Sequence, residues 1–439
     1  MILGAGMTGL AAGWASGLPV YEAEQSPGGI CSSYYMRPGT EDRLHEAPTD
    51  GEGYRFEIGG GHWIFGGDPL VLQFIQSLTP VQQYFRKSAV FFPDTRLAVP
   101  YPIQNSLKYL DPQTAQAALC EMADAALRPQ PAVTMADWLR NSFGKTLDEL
   151  FFRPFHDLYT SGLCDKIAPQ DAYKSPVSLP TAIQGAFNAT AAAGYNTTFI
   201  YPKEGLNALA SRMASRCIAH YGKRVTNIDV RRRAVMFADG SGASYEFLIS
   251  TLPLNRMMTL TGLKAVARPD PSPAVLVMNI GARRGPQCPL EHWVYIPSSK
   301  ARFHRVGFYS NVDASFLPAS GCHANDRVSI YVEKSYPEGS KPSPSEMRSL
   351  GQSIAQELQE WGWIDGTEVI DPTWIDTAYT WSLPGSKWKL EALRLLEEQR
   401  IFQVGRYARW TFQGIADSIR DGFVAGSAAG AVLAQGTGA

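Results

Sequence analysis

A glycine-rich stretch, LGAGMTGLAAG, stands almost at the first residue of the chain. Gly4, Gly6 and Gly9 fit the spacing G-x-G-x-x-G, which in a dinucleotide-binding fold follows a buried strand and opens a helix. Met7–Ser16 fits that helix, whose N-terminal amides would face an anion. Only Met1–Leu3 remain for the strand, so we expect the first strand to be cut short.

A second strand follows at Leu18–Glu22 and ends in a carboxylate. A carboxylate at this point of the fold accepts a hydrogen bond from a ribose hydroxyl. Gly28 and Gly29 follow shortly after it, and such an extra glycine pair favours FAD over NAD because it lets the chain pass close to the cofactor. The pattern predicts an α/β, Rossmann-like two-dinucleotide FAD-binding fold.

Composition excludes several classes of protein. The chain has 439 residues and a formal net charge of −1, so no basic excess indicates a nucleic-acid partner. Its six cysteines are scattered without a C-x-x-C pair, so no metal site is predicted, and free thiols are typical of a reducing, cytoplasmic setting. We find no signal peptide and no apolar run long enough for a membrane span.

Sequence patterns divide the chain into three interleaved parts. The FAD-binding domain is expected at 1–68, 181–265 and 385–439, with a β-meander after position 224. Residues 69–180 predict a mainly helical cap, and residues 266–384 predict an antiparallel-sheet substrate domain with one helix.

Several motifs in this order together resemble the UDP-galactopyranose mutase family, especially its eukaryotic branch. They extend over nearly the whole chain and read GGHWIF at 60–65, VPYPIQN at 99–105, FFRPF at 151–155, NTTFIYPKEG at 196–205, WVYIP at 293–297, FHRVGFYSN at 303–311 and GRYARW at 405–410.

The resemblance implies an isomerase in which reduced FAD attacks the anomeric carbon of a nucleotide-linked sugar. The sugar ring opens and recloses at the other ring size with no net redox change, and an external reductant such as NAD(P)H or a reductase must first reduce the flavin. The expected FAD contacts are Gly4, Gly6, Met7, Thr8, Gly9, Glu22, Ala23, Gly28, Gly29, Gly60, Gly61, His62, Val225, Gly405, Arg406, Ser418 and Ile419.

The resemblance also assigns candidate residues to the chemistry. Arg305 matches a diphosphate-binding arginine, Arg406 an arginine beside the flavin, and His62 a loop histidine that contacts it. The alternatives are a surface arginine on a strand for Arg305 and a structural histidine for His62. The expected substrate contacts are Tyr101, Gln104, Asn196, Trp293, Tyr295, Arg305 and Tyr379, of which Trp293 and Tyr295 could instead be core residues.

The sequence departs from the family at four places. No arginine follows the RPF segment, where Lys174 is the nearby cation, and a lysine lacks the bidentate fork of arginine. Thr160 stands for a tryptophan and Phe412 for a diphosphate-binding tyrosine, and the last flavin motif reads DSIRDGF. These losses leave the sugar open, and they keep two alternatives: an amine oxidase or desaturase, and a flavin-binding protein without catalysis.

Overall fold

The computed structural model describes residues 1–170, 175–188, 197–322 and 326–436. These residues form a mixed α/β fold with one parallel sheet and one larger, mainly antiparallel sheet. The strands are β1 (Ile2–Leu3), β2 (Val20–Tyr21), β3 (Ser33–Met36), β4 (Tyr54–Glu57), β5 (Val81–Phe85), β6 (Ser88–Phe92), β7 (Leu97–Pro100), β8 (Thr198–Pro202), β9 (Ala219–His220), β10 (Val225–Asp229), β11 (Ala234–Phe237), β12 (Gly242–Ser244), β13 (Leu248–Ser250), β14 (Ala274–Arg284), β15 (Trp293–Tyr295), β16 (Arg305–Phe308), β17 (Arg327–Tyr336), β18 (Ile364–Ile375) and β19 (Ile401–Gln403).

Side-chain caps and prolines fix where several helices begin. Asp68 and Asp111 each accept a hydrogen bond from the first turn and precede a proline, whereas Thr134 and Ser343 form capping boxes. The helices are α1 (Met7–Ser16), α2 (Pro69–Leu78), α3 (Pro112–Leu127), α4 (Met135–Leu147), α5 (Arg153–Tyr159), α6 (Leu179–Phe187), α7 (Leu206–Ala214), α8 (Leu254–Thr261), α9 (Tyr309–Val312), α10 (Pro344–Glu360), α11 (Trp388–Glu397) and α12 (Ile415–Gly436).

The parallel sheet has the strand order β19-β13-β1-β2-β9, with β1 at its centre. Ile2 pairs with Ile249 on one side and with Val20 on the other. Two residues suffice because Ile2 and Leu3 are both wholly buried between their neighbours. The short first strand is therefore confirmed, and the carboxyl ends of these strands meet at one edge of the sheet.

The larger sheet has the order β18-β14-β17-β16-β15-β6-β7 and is antiparallel except for the pair β15–β6. The predicted strands after position 266 form most of it. Helix α10 covers this sheet with Ile354 and Leu358, which share a core with Met278 and Ile280 of β14. The antiparallel sheet and its covering helix are therefore confirmed.

Residues 81–92 correct the prediction of a mainly helical cap over 69–180. They form β5 and β6, and β6 extends the larger sheet together with β7, which lies in the stretch LAVPYPIQNSL that its two prolines predict to be extended. The runs VQQYF and SAVFF are five residues long, and apolar periodicity cannot separate helix from strand over so few residues. Helices α3 to α5 follow as expected.

Helix α12 lies directly on α1, which carries the first glycine motif. A Cβ at Gly422 would approach the Thr8 carbonyl oxygen to 2.2 Å, and one at Gly426 would approach the Ala12 carbonyl oxygen to 2.4 Å. Both positions need glycine because the helix backbones touch there. Among the described residues, no helix combines the length and apolar character that a bilayer crossing requires.

Candidate active site

A cavity of about 810 Å³ lies at the carboxyl ends of the parallel strands. Its wall includes residues that directly follow β1, β2 and β13, namely Gly4, Glu22 and Thr251. The wall brings together most of the predicted cofactor contacts: Gly4, Gly6, Met7, Thr8, Glu22, Ala23, Gly28, Gly29, His62, Val225, Gly405, Arg406 and Ser418.

The first glycine motif shapes this cavity for a phosphate. Gly4 has φ +94°, and a Cβ there would meet the Thr251 hydroxyl at 2.3 Å. A Cβ at Gly9 would lie 1.9 Å from the Gly4 carbonyl oxygen, so Gly9 lets α1 pack against the loop. A Cβ at Gly6 would meet nothing within 4 Å, so this position opens the cavity toward the N-terminal amides of α1. An anion such as a pyrophosphate fits there.

Glu22 provides a fixed carboxylate at the end of β2. It is 7% exposed, and its two oxygens accept hydrogen bonds from the backbone amides of Ala5 (2.6 Å) and Glu24 (2.9 Å). Burial raises the pKa of Glu22, whereas those amides oppose the rise. A carboxylate oxygen has more than one lone pair, so Glu22 can also accept from a ribose hydroxyl in the cavity.

A second cavity of about 480 Å³ adjoins the first. The two share one wall, formed by Ile30, His62, Ile375, Arg406, Tyr407, Gln413, Gly414 and Ile415. A cofactor in the first cavity would therefore present one end to a ligand in the second. The expected pyrophosphate and ribose contacts, Gly6 and Glu22, line the first cavity alone, which leaves this junction for a ring system such as isoalloxazine.

Arg305 lines the second cavity at the first residue of β16. It stands opposite Glu333 of β17 in the sheet, and its guanidinium pairs with that carboxylate. The Tyr379 hydroxyl donates to the same carboxylate at 3.3 Å. Burial would raise the pKa of Glu333, but Arg305 and His304 outweigh it and lower that pKa to about 2. The carboxylate stays ionised and holds the guanidinium in the wall.

His62 and Arg406 lie where the cavities meet. The His62 Nδ1–H donates to the Gly60 carbonyl at 3.3 Å, which leaves Nε2 as the acceptor of the ring. Burial, aided by Arg406, lowers the pKa of His62 to about 4, so the ring is neutral at pH 7. The Arg406 guanidinium lies 4.5 Å from the Phe412 ring centre and donates to the Gln413 carbonyl.

Aromatic side chains form much of the remaining wall. The Trp293 indole N–H donates to the Tyr295 hydroxyl at 3.0 Å, and the Tyr101 and Tyr295 ring centres are 4.6 Å apart. The predicted aromatic contacts Tyr101, Trp293, Tyr295 and Tyr379 all line this cavity. Such rings can stack on a base or on the C–H face of a sugar.

Five predicted contacts lie away from the cavity to which they were assigned, and a sixth is not among the described residues. Gly9, Gly60 and Ile419 line neither cavity, and Ile419 is wholly buried. Gln104 is also wholly buried and donates from its amide to the Pro176 carbonyl, because the short helical turn after Pro102 directs it into the protein. Asn196 lies outside the described residues. Gly61 lines the second cavity instead of the first.

Sequence reasoning missed several residues of the second cavity. Glu333 carried a usable signal, since it is an acidic residue directly after the mainly apolar run VSIYV. His304 directly precedes the predicted site residue Arg305. The FFRPF motif indicates the family, but it does not by itself assign its aromatic residues, or those that follow it, to the cavity. The missed residues are Phe151, Phe155, His156, Tyr159, Ser175, His304, Tyr331 and Glu333.

The positions at which the sequence departs from the mutase family do not supply a second diphosphate-binding arginine. Thr160 is wholly buried, and its hydroxyl donates to the His156 carbonyl. The Phe412 ring makes a cation–π contact with the Arg406 guanidinium. Lys174 lies outside the described residues. Among the described residues that line the second cavity, the guanidinium groups are those of Arg305 and Arg406. No group of three potential metal ligands was found in the described parts of the chain.

Several solved structures have a fold similar to that of this chain. A structure of reduced UDP-galactopyranose mutase is 20% identical, covers 99% of this chain and 95% of that chain, and has a TM-score of 0.83. A CLA-producing fatty acid isomerase from P. acnes is 15% identical over 96% of each chain, with a TM-score of 0.57. Putrescine oxidase bound to putrescine is 15% identical over 99% of this chain and 98% of that chain, with a TM-score of 0.54. These likenesses concern the fold.

The family comparison adds the cofactor class. The model of the family of flavin containing amine oxidoreductases matches residues 12–280, which is more than half of the chain. The match begins in α1 and includes Glu22, Gly28, Gly29 and His62 of the first cavity, but it does not include Gly4 to Thr8. The chain therefore belongs to the flavin containing amine oxidoreductase family, as an enzyme whose cofactor is FAD.

Proposed function

We propose that this enzyme is a mutase that interconverts the pyranose and furanose forms of a nucleotide-linked sugar with no net redox change. The observation that carries the proposal is Arg305, a fixed guanidinium on the wall of a cavity that opens onto the FAD cavity. A guanidinium binds a diphosphate through paired, charge-assisted hydrogen bonds. The fold likeness to reduced UDP-galactopyranose mutase supports the same reaction class.

When bound, reduced FAD supplies the nucleophile for the anomeric carbon. The chain's own residues orient and neutralise the reactants around it. Arg305 binds the departing diphosphate and keeps it near the sugar, and Arg406 adds positive charge at the junction. His62 is neutral and offers Nε2 as an acceptor there, whereas Tyr379 helps to hold Glu333 against Arg305. Electrostatic stabilisation of the developing diphosphate charge is the main contribution expected of these groups.

The nucleotide and the sugar are assigned to the aromatic wall. Tyr101 would stack on the base, and Trp293 and Tyr295 would face the sugar. The flavin must be reduced before the reaction and is not consumed by it, so the enzyme needs an external reductant such as NAD(P)H or a reductase only for activation.

One assay tests the proposed reaction. The yellow enzyme is reduced with dithionite, mixed with UDP-linked and dTDP-linked sugars, and the products are separated by ring size. We expect a ring-size isomer with the reduced enzyme and none with the oxidised enzyme. An isomer formed equally by oxidised enzyme, or no isomer from any sugar nucleotide, would rule the proposal out.

A second candidate is an FAD-dependent oxidoreductase of the amine oxidase or desaturase type. The family match favours it, as does the lack of an arginine after the RPF segment of the sequence. A substrate-driven bleaching of the oxidised flavin would support this candidate, since a mutase leaves the oxidation state of its substrate unchanged.

A further inference from the structure

His304 is a buried histidine on the wall of the second cavity. It is 1% exposed, and neither ring nitrogen has a hydrogen-bond partner among the described residues. Its Nε2 lies 3.6 Å from the Glu333 carboxylate, just beyond hydrogen-bond distance. Since a buried polar group without a partner costs free energy, this ring would gain from a new hydrogen bond or ion pair.

Glu333 connects His304 to Arg305. The Arg305 guanidinium pairs with the same carboxylate oxygen that lies nearest to His304. A phosphorylated ligand that binds Arg305, whose Nε has no partner among the described residues, would share the positive charge of that guanidinium with Glu333. Glu333, at 3% exposure, would then be a buried carboxylate beside a further negative charge, which is strongly unfavourable without a new cation.

We propose that His304 takes up one proton from solvent when a phosphorylated ligand binds Arg305, and that the resulting imidazolium pairs with Glu333. His304 is then a positioning residue that supplies a further positive charge beside Arg305, in a sequence that has no arginine after the RPF segment. This inference rests on the proposed function, because it takes a nucleotide sugar as the ligand. It adds to the proposed function that binding of this ligand depends on pH.

The groups around His304 are consistent with the uptake of a proton by its ring. Glu333 of β17 and Arg305 of β16 are the charged neighbours, and the ring also packs against Phe155 and Tyr159 of α5. Burial lowers the pKa of His304 and Arg305 lowers it further, while Glu333 opposes both. The ring is therefore neutral beside the Arg305–Glu333 pair, and a negative charge added at Arg305 favours its protonation.

Titration calorimetry of the FAD-bound enzyme tests the proton uptake. UDP-galactose and dTDP-galactose are suitable probes, because their diphosphate is a diester without a titration near neutral pH. Binding is measured in two buffers of different ionisation enthalpy and from pH 6.5 to 8. We expect uptake of about one proton, with an affinity that weakens as pH rises, by up to about tenfold per pH unit.

Two variants and one control locate the proton. In His304→Gln and in Glu333→Gln we expect no proton uptake and an affinity independent of pH. His292→Gln changes another buried histidine of the same sheet that lines neither cavity, so its proton uptake should equal that of the unchanged enzyme. FAD content shows that each variant is folded.

The outcomes separate this inference from the proposed function. Binding without proton uptake overturns the inference alone, and so does uptake that persists in His304→Gln but is lost in Glu333→Gln. If neither sugar nucleotide binds the unchanged enzyme, the proposed function fails and the inference fails with it.

Discussion

At the scale of single residues, buried charges in this chain are set by their immediate neighbours. Glu333 stays ionised because Arg305 lies against it, whereas Glu57 is wholly buried and accepts from the hydroxyl groups of Ser33 and Tyr201. Burial raises the pKa of Glu57 to about 7, although both hydroxyls and Arg55 oppose the rise. The Glu333 carboxylate therefore forms an ion pair, whereas the Glu57 carboxyl group titrates near neutral pH.

Replacing Arg305 tests the diphosphate site at this scale. Arg305→Lys keeps a positive charge for Glu333 but loses the bidentate fork, so we expect the Kd for UDP-galactose or dTDP-galactose to rise roughly tenfold. Such a loss corresponds to about 1.4 kcal/mol. Arg283→Lys, on the exposed end of β14, is the matched control and should bind as the unchanged enzyme does. Unaltered binding by Arg305→Lys, measured by calorimetry, would refute the assigned role.

Glu57 predicts a pH dependence of stability. Its folded pKa of about 7 exceeds its ordinary value of 4.5, so the folded state binds more protons between those pH values. Its contribution is therefore complete below pH 4.5 and is lost as the pH rises through 7, by about 3 kcal/mol. Urea unfolding at pH 4.5 and pH 7.5 should show a smaller loss in Glu57→Gln than in the unchanged protein. Equal losses in both proteins would contradict the prediction.

At the scale of secondary structure, close contact between α1 and α12 holds the phosphate loop and the last helix together. The glycines of α12 differ in this contact. A Cβ at Gly426 would meet the Ala12 carbonyl oxygen at 2.4 Å, whereas one at Gly430 would meet the Ser16 Cα at 3.7 Å. The first position is closed to any side chain, and the second is open to a methyl group.

The same substitution at these two glycines should have opposite effects. Gly426→Ala forces the helices apart, and we expect a loss of about 1–3 kcal/mol in unfolding free energy together with weaker FAD binding. Gly430→Ala makes only ordinary contacts and gains helix propensity, so stability should rise by up to about 1 kcal/mol. Chemical denaturation and FAD titration of both variants measure this. A stable Gly426→Ala variant with normal FAD binding would disprove the proposed helix contact.

At the scale of the whole molecule, each cavity is assembled from distant parts of the chain. The first uses residues near both ends of the sequence, and the second combines α5 with β15, β16 and β17. The predicted cap at 69–180 and the predicted sheet at 266–384 therefore share one site, and β6 joins them through its pairing with β15.

Ligand-dependent stability tests this two-cavity arrangement. FAD at a hundred times its Kd should raise the unfolding free energy by about 2.7 kcal/mol. A sugar nucleotide added to the FAD-bound protein should raise it again, because it binds the adjoining cavity. Arg305→Lys should retain the first increase and lose part of the second in thermal denaturation. A second increase of the same size in both proteins would argue against a sugar-nucleotide site at Arg305.

Local patterns in the sequence were enough to predict the FAD part of the molecule. The glycine spacing, the acidic end of the second strand and the meander after position 224 each act over a few neighbouring residues, and the structure has all of these elements. The two strands within 81–92 were missed because their apolar runs are too short for periodicity to distinguish a strand from a helix. Gln104 was misplaced because a single helical turn decides its direction.

The sequence by itself determined the fold class and the cofactor, because backbone conformation at glycines and the order of strands and helices are encoded locally. Only the tertiary structure decided that His304, Glu333 and Arg305 form one charged cluster beside the FAD cavity. The reason is physical: pairing and burial depend on which strands lie next to each other, and β16 and β17 become neighbours only when the larger sheet forms.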